Sequence, residues 1–279
     1  MQNIRPAAVA GRWYPGSAAA LTRAVDGYLS RARSDAAGRF DALIAVIAPH
    51  AGLMYSGPVA AHAYRLLPGR AFDVIVLVGP SHFVGFDGVA VYPSGGFETP
   101  LGVVPVDEAC AADLMRASPI VCEHTSAHAR EHSLEMQLPF VQRLAPAARI
   151  VPLVMGVQSA ETARQLGDAL GTVLRGRKAL LVASTDLSHY HDRRTAARLD
   201  AVVIDHVTRF DAEGLQRALD ARPEHACGGG PTVAVMRGAR LLGADEASVL
   251  NYADSGDVSG DKSSVVGYMA AAFGTMAHR

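Results

Sequence analysis

Three apolar runs in this chain each end in a histidine, and that repetition constrains the fold more than any other feature. Ala42-Leu-Ile-Ala-Val-Ile-Ala-Pro-His50-Ala-Gly52 does not alternate apolar with polar residues, so it reads as a strand buried on both faces. Pro49 cannot donate to a sheet ladder, which stops the strand there and leaves His50 just past its carboxyl end. Phe72-Asp-Val-Ile-Val-Leu-Val-Gly-Pro80-Ser-His82 and Ala179-Leu-Leu-Val-Ala-Ser-Thr-Asp186-Leu-Ser-His189 repeat the pattern. Open α/β sheets place their ligand sites at the carboxyl ends of strands. A single such histidine is more often a structural residue bonded to backbone. Three in one topological position predict a common site on one edge of a parallel sheet.

The rest of the chain alternates between strand and helix signals without a repeat, a low-complexity block or a clear linker. This predicts one α/β domain over residues 1–279, with a central, mostly parallel sheet flanked by helices. Ser17 is placed to cap a helix carrying Leu21, Val25 and Leu29, and residues 31–39 read as its end and a loop. Trp13, the sole tryptophan, is expected to pack. Residues 52–57, with Tyr55, read as a flexible loop and Pro58 as the first turn of a helix. Residues 88–92 and 102–106 predict a hairpin or an antiparallel extension. Asp107, Ser159 and Pro231 mark further helix starts, Cys110 reads as core, and residues 254–261 read as a plain turn rather than a cation loop.

The segment from Glu123 to Phe140 is dense in ionisable side chains. Read as a helix, it places His128 and His132 on one face, a spacing able to hold a metal, although a surface patch is an equal reading. Glu131 and Glu135 then suit the task of steering histidines from behind. Cys227 precedes Gly228-Gly-Gly230 and a helix start, a position that favours a thiolate; a small apolar residue in a tight turn is the alternative.

Composition narrows the function. The net charge is −1 and 49% of residues are hydrophobic, which excludes a disordered chain and offers no basic excess for nucleic acid or an anionic membrane. No apolar stretch reaches membrane-spanning length, the N-terminal residues lack an apolar signal region, and three cysteines do not suggest a disulfide framework, so a cytoplasmic location is expected.

Taken together, Val9-Ala-Gly-Arg-Trp-Tyr-Pro15, Ala48-Pro-His-Ala-Gly52, Gly79-Pro-Ser-His82, Glu131-His-Ser-Leu-Glu135, Ser184-Thr-Asp-Leu-Ser-His189, Cys227-Gly and Asn251-Tyr-Ala-Asp-Ser-Gly-Asp-Val-Ser-Gly-Asp261 resemble the Memo-like family (mediator of cell motility). Its microbial members are called AmmeMemoRadiSam system protein B. The resemblance runs collinearly along nearly the whole chain. It implies a fold like that of the extradiol ring-cleaving dioxygenases that use non-haem iron. It also implies His50, His82 and Cys227 as metal ligands, with Asp186 and His189 lining the pocket and His189 where those dioxygenases keep an acid/base histidine. Tyr55, Glu131, His132 and His191 are further pocket candidates.

Three functions are compatible with these residues. The first is a redox enzyme acting on a small molecule, with Fe(II), or else copper or zinc, at the His/His/Cys site. There His189 would transfer protons and Asp186 would orient a histidine or a bound water. A thiolate ligand is softer than the carboxylate of the 2-His-1-carboxylate oxygenases, which argues against simple ring cleavage. The second is a non-catalytic metal- or peptide-binding accessory protein, partnered, as the family name implies, with radical-SAM and AMMECR-type proteins. The third is a metal-assisted hydrolase.

Overall fold

The computed structural model describes residues 3–32 and 39–276. Of the segment read from sequence as a helix end and loop, residues 33–38 lie outside the described residues. Along the chain the elements are β1 (Ile4–Arg5), α1 (Ala18–Arg31), β2 (Phe40–Ala48), α2 (Leu53–Tyr64), β3 (Val74–Pro80), β4 (Val89–Val91), β5 (Gly96–Thr99), β6 (Gly102–Pro105), α3 (Glu108–Ala117), β7 (Val121–Glu123), α4 (Thr125–His128), α5 (Leu138–Leu144), β8 (Arg149–Met155), α6 (Ala160–Val173), β9 (Ala179–Ser184), β10 (His189–His191), α7 (Arg193–Thr208), α8 (Ala212–Ala221), α9 (Gly229–Leu241), β11 (Glu246–Asp254), α10 (Gly256–Ser259) and β12 (Val265–Met276).

The main sheet runs β10-β12-β2-β9-β3-β8-β4-β7, with β11 also paired to β12. Its centre, β2-β9-β3-β8, is parallel, and β12 and β4 join that centre antiparallel. The parallel centre follows from the apolar runs: alternate residues of each strand bury on opposite faces. Val46, Ala48, Ile75 and Leu77 pack under α1, α2 and α5; Ala45, Ile47, Val76 and Val78 pack under α3, α6 and α9. The mixed α/β architecture with helices on both faces agrees with the expectation from sequence. Because β2, β9 and β3 are neighbours and parallel, their carboxyl ends lie side by side. No helix among the described residues is long and apolar enough to cross a membrane.

Four local expectations are corrected. The helix after His50 begins at Leu53, with Pro58 inside it rather than at its start. Burial decides this: Ser56 donates to the Ala51 carbonyl, and Gly57 lies so close to α1 that a Cβ would meet the Tyr28 ring at 2.8 Å. The amide that Pro58 lacks would have served Met54, which is exposed at the helix start. The hairpin partner of β6 is β5, not the 88–92 segment; β4 instead extends the main sheet antiparallel to β8, the alternative read from sequence, while β1, β5 and β6 form a separate three-stranded sheet. Residues 254–261 contain the short helix α10, tied down by ion pairs from Arg193 to Asp254 and Asp257. The segment from Glu123 to Phe140 is not one helix: α4 is a single turn, followed by a break, a 3-10 turn at Glu135–Gln137 and α5.

That broken segment packs against the tip of β3. Gly79 is the point of closest approach, where a Cβ would meet Ser133 Oγ at 2.6 Å and Leu134 Cδ2 at 2.9 Å. Gly79→Ala should therefore lower stability by about 1–3 kcal/mol, seen as a drop of several degrees in Tm by thermal unfolding. An unchanged Tm would mean that the 133–134 segment yields freely.

Candidate metal centre

His50 leaves β2, and its backbone N–H donates to Asp186 Oδ1 (2.7 Å), as does that of Ala51 (3.3 Å). The loop after β9 thereby fixes the turn after β2. The His50 ring is set by Ser184, the last residue of β9. Ser184 Oγ donates to the Ser133 carbonyl (2.7 Å), accepts from Gln137 Nε2 (2.7 Å), and lies 2.9 Å from His50 Nδ1. The serine's one hydrogen is committed to Ser133, so His50 Nδ1 must be the donor, and Nε2 keeps a bare lone pair. Burial, and then the neighbouring His82, push the His50 pKa down to about 3.

His82 follows β3 and is set by Glu131. The Glu131 carboxylate accepts from His82 Nδ1 (2.9 Å), the His82 amide (2.7 Å), and the His132 and Ser133 amides (2.9 Å each). Burial alone would raise the Glu131 pKa, but the hydrogen bonds and charge of His82, helped by the Ser133 amide, hold it at about 2. An ionised carboxylate only accepts, so His82 Nδ1 is the donor to Glu131 and Nε2 is the ring nitrogen left outside that bond.

His132 stacks on His82 with ring centroids 4.5 Å apart and lies 5.6 Å from the His50 ring. Its Nδ1 is buried without a hydrogen-bond partner among the described residues. Burial, and then His50 and His82, hold its pKa at about 3. One nitrogen each from His50, His82 and His132 lie within 4.8 Å of one another, a group able to hold a metal ion. The neutral rings of His50 and His132, and the orphaned buried nitrogen of His132, are what a metal requires of its ligands.

Cys227 lies beside this group, with Sγ 3.3 Å from His50 Nε2. Its amide donates to the Asp186 carbonyl, the Asp186 amide points at its sulfur, and its carbonyl accepts from Gln158. The glycine after it is a matter of close approach, not of phosphate binding: a Cβ on Gly228 would meet the Ser184 carbonyl at 2.5 Å. The helix-start position does not make Cys227 a free thiolate, because burial and then the Asp186 carboxylate push its pKa up. A neighbouring cation is what would displace that proton.

These groups form the base of a cavity of about 400 Å³, whose walls include Asp186, His189, Trp13, Tyr190 and Val266. Burial raises the Asp186 pKa to about 6. Trp13 packs as expected, 4.2 Å from the His132 ring, and also faces the cavity.

Other candidates fall elsewhere. His128, buried beneath Tyr92 and Phe97, shares no face with His132 because the chain breaks between them. Glu135 steers no histidine; it binds Arg5 (2.6 Å), the Tyr14 hydroxyl (2.6 Å), and the Ala8 and Val9 amides. Tyr55 is half-buried against the core, and His191 pairs with Val265 on β12; neither is among the residues lining the cavity. Sequence reasoning did not single out Ser184 or Gln137, whose types and spacing carry no signal for orienting a ring.

A model of the Memo-like protein family matches residues 5–272. The chain belongs to the Memo-like family. It is 41% identical over 272 residues to a MEMO1 family protein of Methanothermobacter thermautotrophicus, covering 95% of this chain and 98% of that one. It is 39% identical over 280 residues to a MEMO1 family protein of Ignicoccus hospitalis, covering 97% and 98%. A crystal structure of an uncharacterized protein from Escherichia coli K12 shares the fold, with a TM-score of 0.53 and 17% identity over 82% of this chain and 99% of that one. Family membership agrees with the motif resemblance.

The depressed histidines make this Memo-like protein acid-sensitive in its metal-free form. His50, His128 and His132 have folded pKa values near 3 against an ordinary 6.5. The unfolded chain therefore binds protons first, so their stabilisation is complete above pH 6.5 and is lost as pH falls from there toward 3. Each contributes up to about 1.4 kcal/mol per pH unit in that window. Urea unfolding at pH 7 and pH 5 should show a loss of several kcal/mol, and equal stabilities would mean that the rings are charged when folded.

Proposed function

We propose that this protein is a mononuclear metal-dependent redox enzyme for a small molecule, with iron held by three of the four donors His50, His82, His132 and Cys227 and a position left open. One observation carries the reading: two imidazoles with tautomers set by Ser184 and Glu131 meet a third at the base of a cavity whose wall holds Asp186 and His189. The donor set suits iron, copper or zinc, and Fe(II) held there would supply one-electron chemistry toward O₂. The chain's own groups do the rest. Asp186, with a pKa near 6, holds or releases a proton close to neutral pH. His189, half-buried on the cavity wall, moves protons to and from the substrate. Trp13 and Val266 give the cavity part of its apolar lining.

A second reading has an observation of its own. Cys227 Sγ, 3.3 Å from His50 Nε2, makes a fourth protein donor beside three histidines. A closed four-ligand set leaves no open position and suits a metal-holding accessory protein beside radical-SAM and AMMECR-type partners.

Metal analysis of anaerobically purified protein, followed by oxygen-uptake measurements, separates these readings. The redox enzyme should carry near-stoichiometric iron, lose it at least tenfold in His82→Ala, and consume O₂ when a substrate is supplied. Cys227→Ser should keep a folded site and weaken soft metals selectively. Iron or zinc inert toward O₂, with four protein ligands by X-ray absorption, would establish the accessory role. A folded chain that binds no metal would sink both.

A further inference from the structure

Tyr190 has a backbone φ of 62°, and Phe210, at 54°, is the other non-glycine residue with positive φ among the described residues. Phe210 is accounted for by packing: it is 7% exposed, its ring lies 4.8 Å from Phe273, and Arg240 sits over it at 3.9 Å. Tyr190 has no such explanation. Its side chain is 77% exposed, and its hydroxyl makes no hydrogen bond among the described residues. The ladder between β10 and β12 shifts register between His189 and His191, so Tyr190 is the residue bulged out of the pairing. Bulges beside active sites re-aim a side chain, and strain at an exposed position is retained where something other than packing uses it. The bulge carries the Tyr190 ring to the cavity wall, 5.6 Å from the His189 ring.

The cavity is divided chemically. Its base is polar, with three histidines and Cys227, and Asp186 and His189 continue that polarity onto the wall; Trp13, Val266 and Tyr190 are the aromatic and aliphatic parts of the wall. The Trp13 ring already packs against His132 on one side. The Tyr190 ring, 77% exposed, meets only the His189 ring among the described residues and is otherwise open to a ligand.

We propose that Tyr190 is a specificity-determining residue that contacts the planar ring of a small molecule whose polar end reaches the three histidines. This rests on the reading of the cavity base as a metal centre. Offset or edge-to-face contacts of this kind strengthen binding by severalfold to about tenfold.

Two hydroxamates with the same chelating head test it. Benzohydroxamate carries a ring and acetohydroxamate does not. Their affinities for the zinc-loaded protein, which is redox-inert, are measured by isothermal titration calorimetry. The wild type should prefer benzohydroxamate, and Tyr190→Ala should reduce that preference about five- to tenfold while leaving acetohydroxamate within twofold. Tyr190→Phe should behave as wild type. Tyr190→Gly, which relaxes in the left-handed region, should melt no lower than wild type while losing the ring preference. If acetohydroxamate binds but Tyr190→Ala leaves the ring preference intact, or weakens both ligands equally, the role of Tyr190 is overturned and the metal centre stands. If acetohydroxamate shows no metal-dependent binding to the zinc-loaded protein, the metal has no open position, and the proposal fails together with the redox-enzyme reading.

Discussion

Glu131 sits almost fully buried beyond the tip of β3, and the candidate site depends on the hydrogen bonds its carboxylate accepts. Two come from His82, through ring and backbone, and two from the amides of His132 and Ser133. One side chain thus sets the tautomer of one histidine and holds the segment that carries another. A buried carboxylate is costly unless every oxygen is paired, and here the pairing partners are themselves parts of the site. The low Glu131 pKa is the electrostatic record of that arrangement.

The segment around Glu131 is held from behind by a second buried charge pair. Arg5 meets Glu135 at 2.6 Å, with both side chains all but inaccessible, and Arg5 also donates to the carbonyls of His128 and Glu131. Glu135 accepts further bonds from the Tyr14 hydroxyl and the Ala8 and Val9 amides. Such a pair adds little over an apolar replacement, but losing one partner strands a charge at a cost of about 3–5 kcal/mol. Its value here is positional: it ties the N-terminal segment, including Trp13, to the break between α4 and α5 from which His132 projects.

The sheet contributes the remaining order. With β2, β9 and β3 parallel and adjacent, His50, Ser184 and His82 emerge at one level, and the β9 loop reaches across to cap the His50 turn through Asp186. The crowding of uncharged imidazoles follows from burial. Three rings so close cannot all be charged: burial and then His82 lower the His50 pKa, burial and then His50 and His82 lower that of His132, and those two rings wait as lone pairs.

The apolar runs alone determined the parallel centre of the sheet, because a strand buried on both faces cannot alternate, and they determined that His50, His82 and His189 share one edge. The collinear motifs determined the family. What the sequence did not carry was any contact between residues distant along the chain. The four-residue spacing of His128 and His132 suggested a shared helical face, yet the pull of Glu131 toward His82 and the pairing of Arg5 with Glu135 break that helix, sending His128 into the core and His132 into the cavity. Pro58 read as a helix start because local preference says so, whereas the packing of Gly57 on Tyr28 extends the helix back to Leu53. Ser184 and Gln137, which orient His50, are ordinary residues in their own segments and acquire their roles only where three segments meet. Periodicity records which face of an element is buried; the partners that face it are settled by tertiary packing.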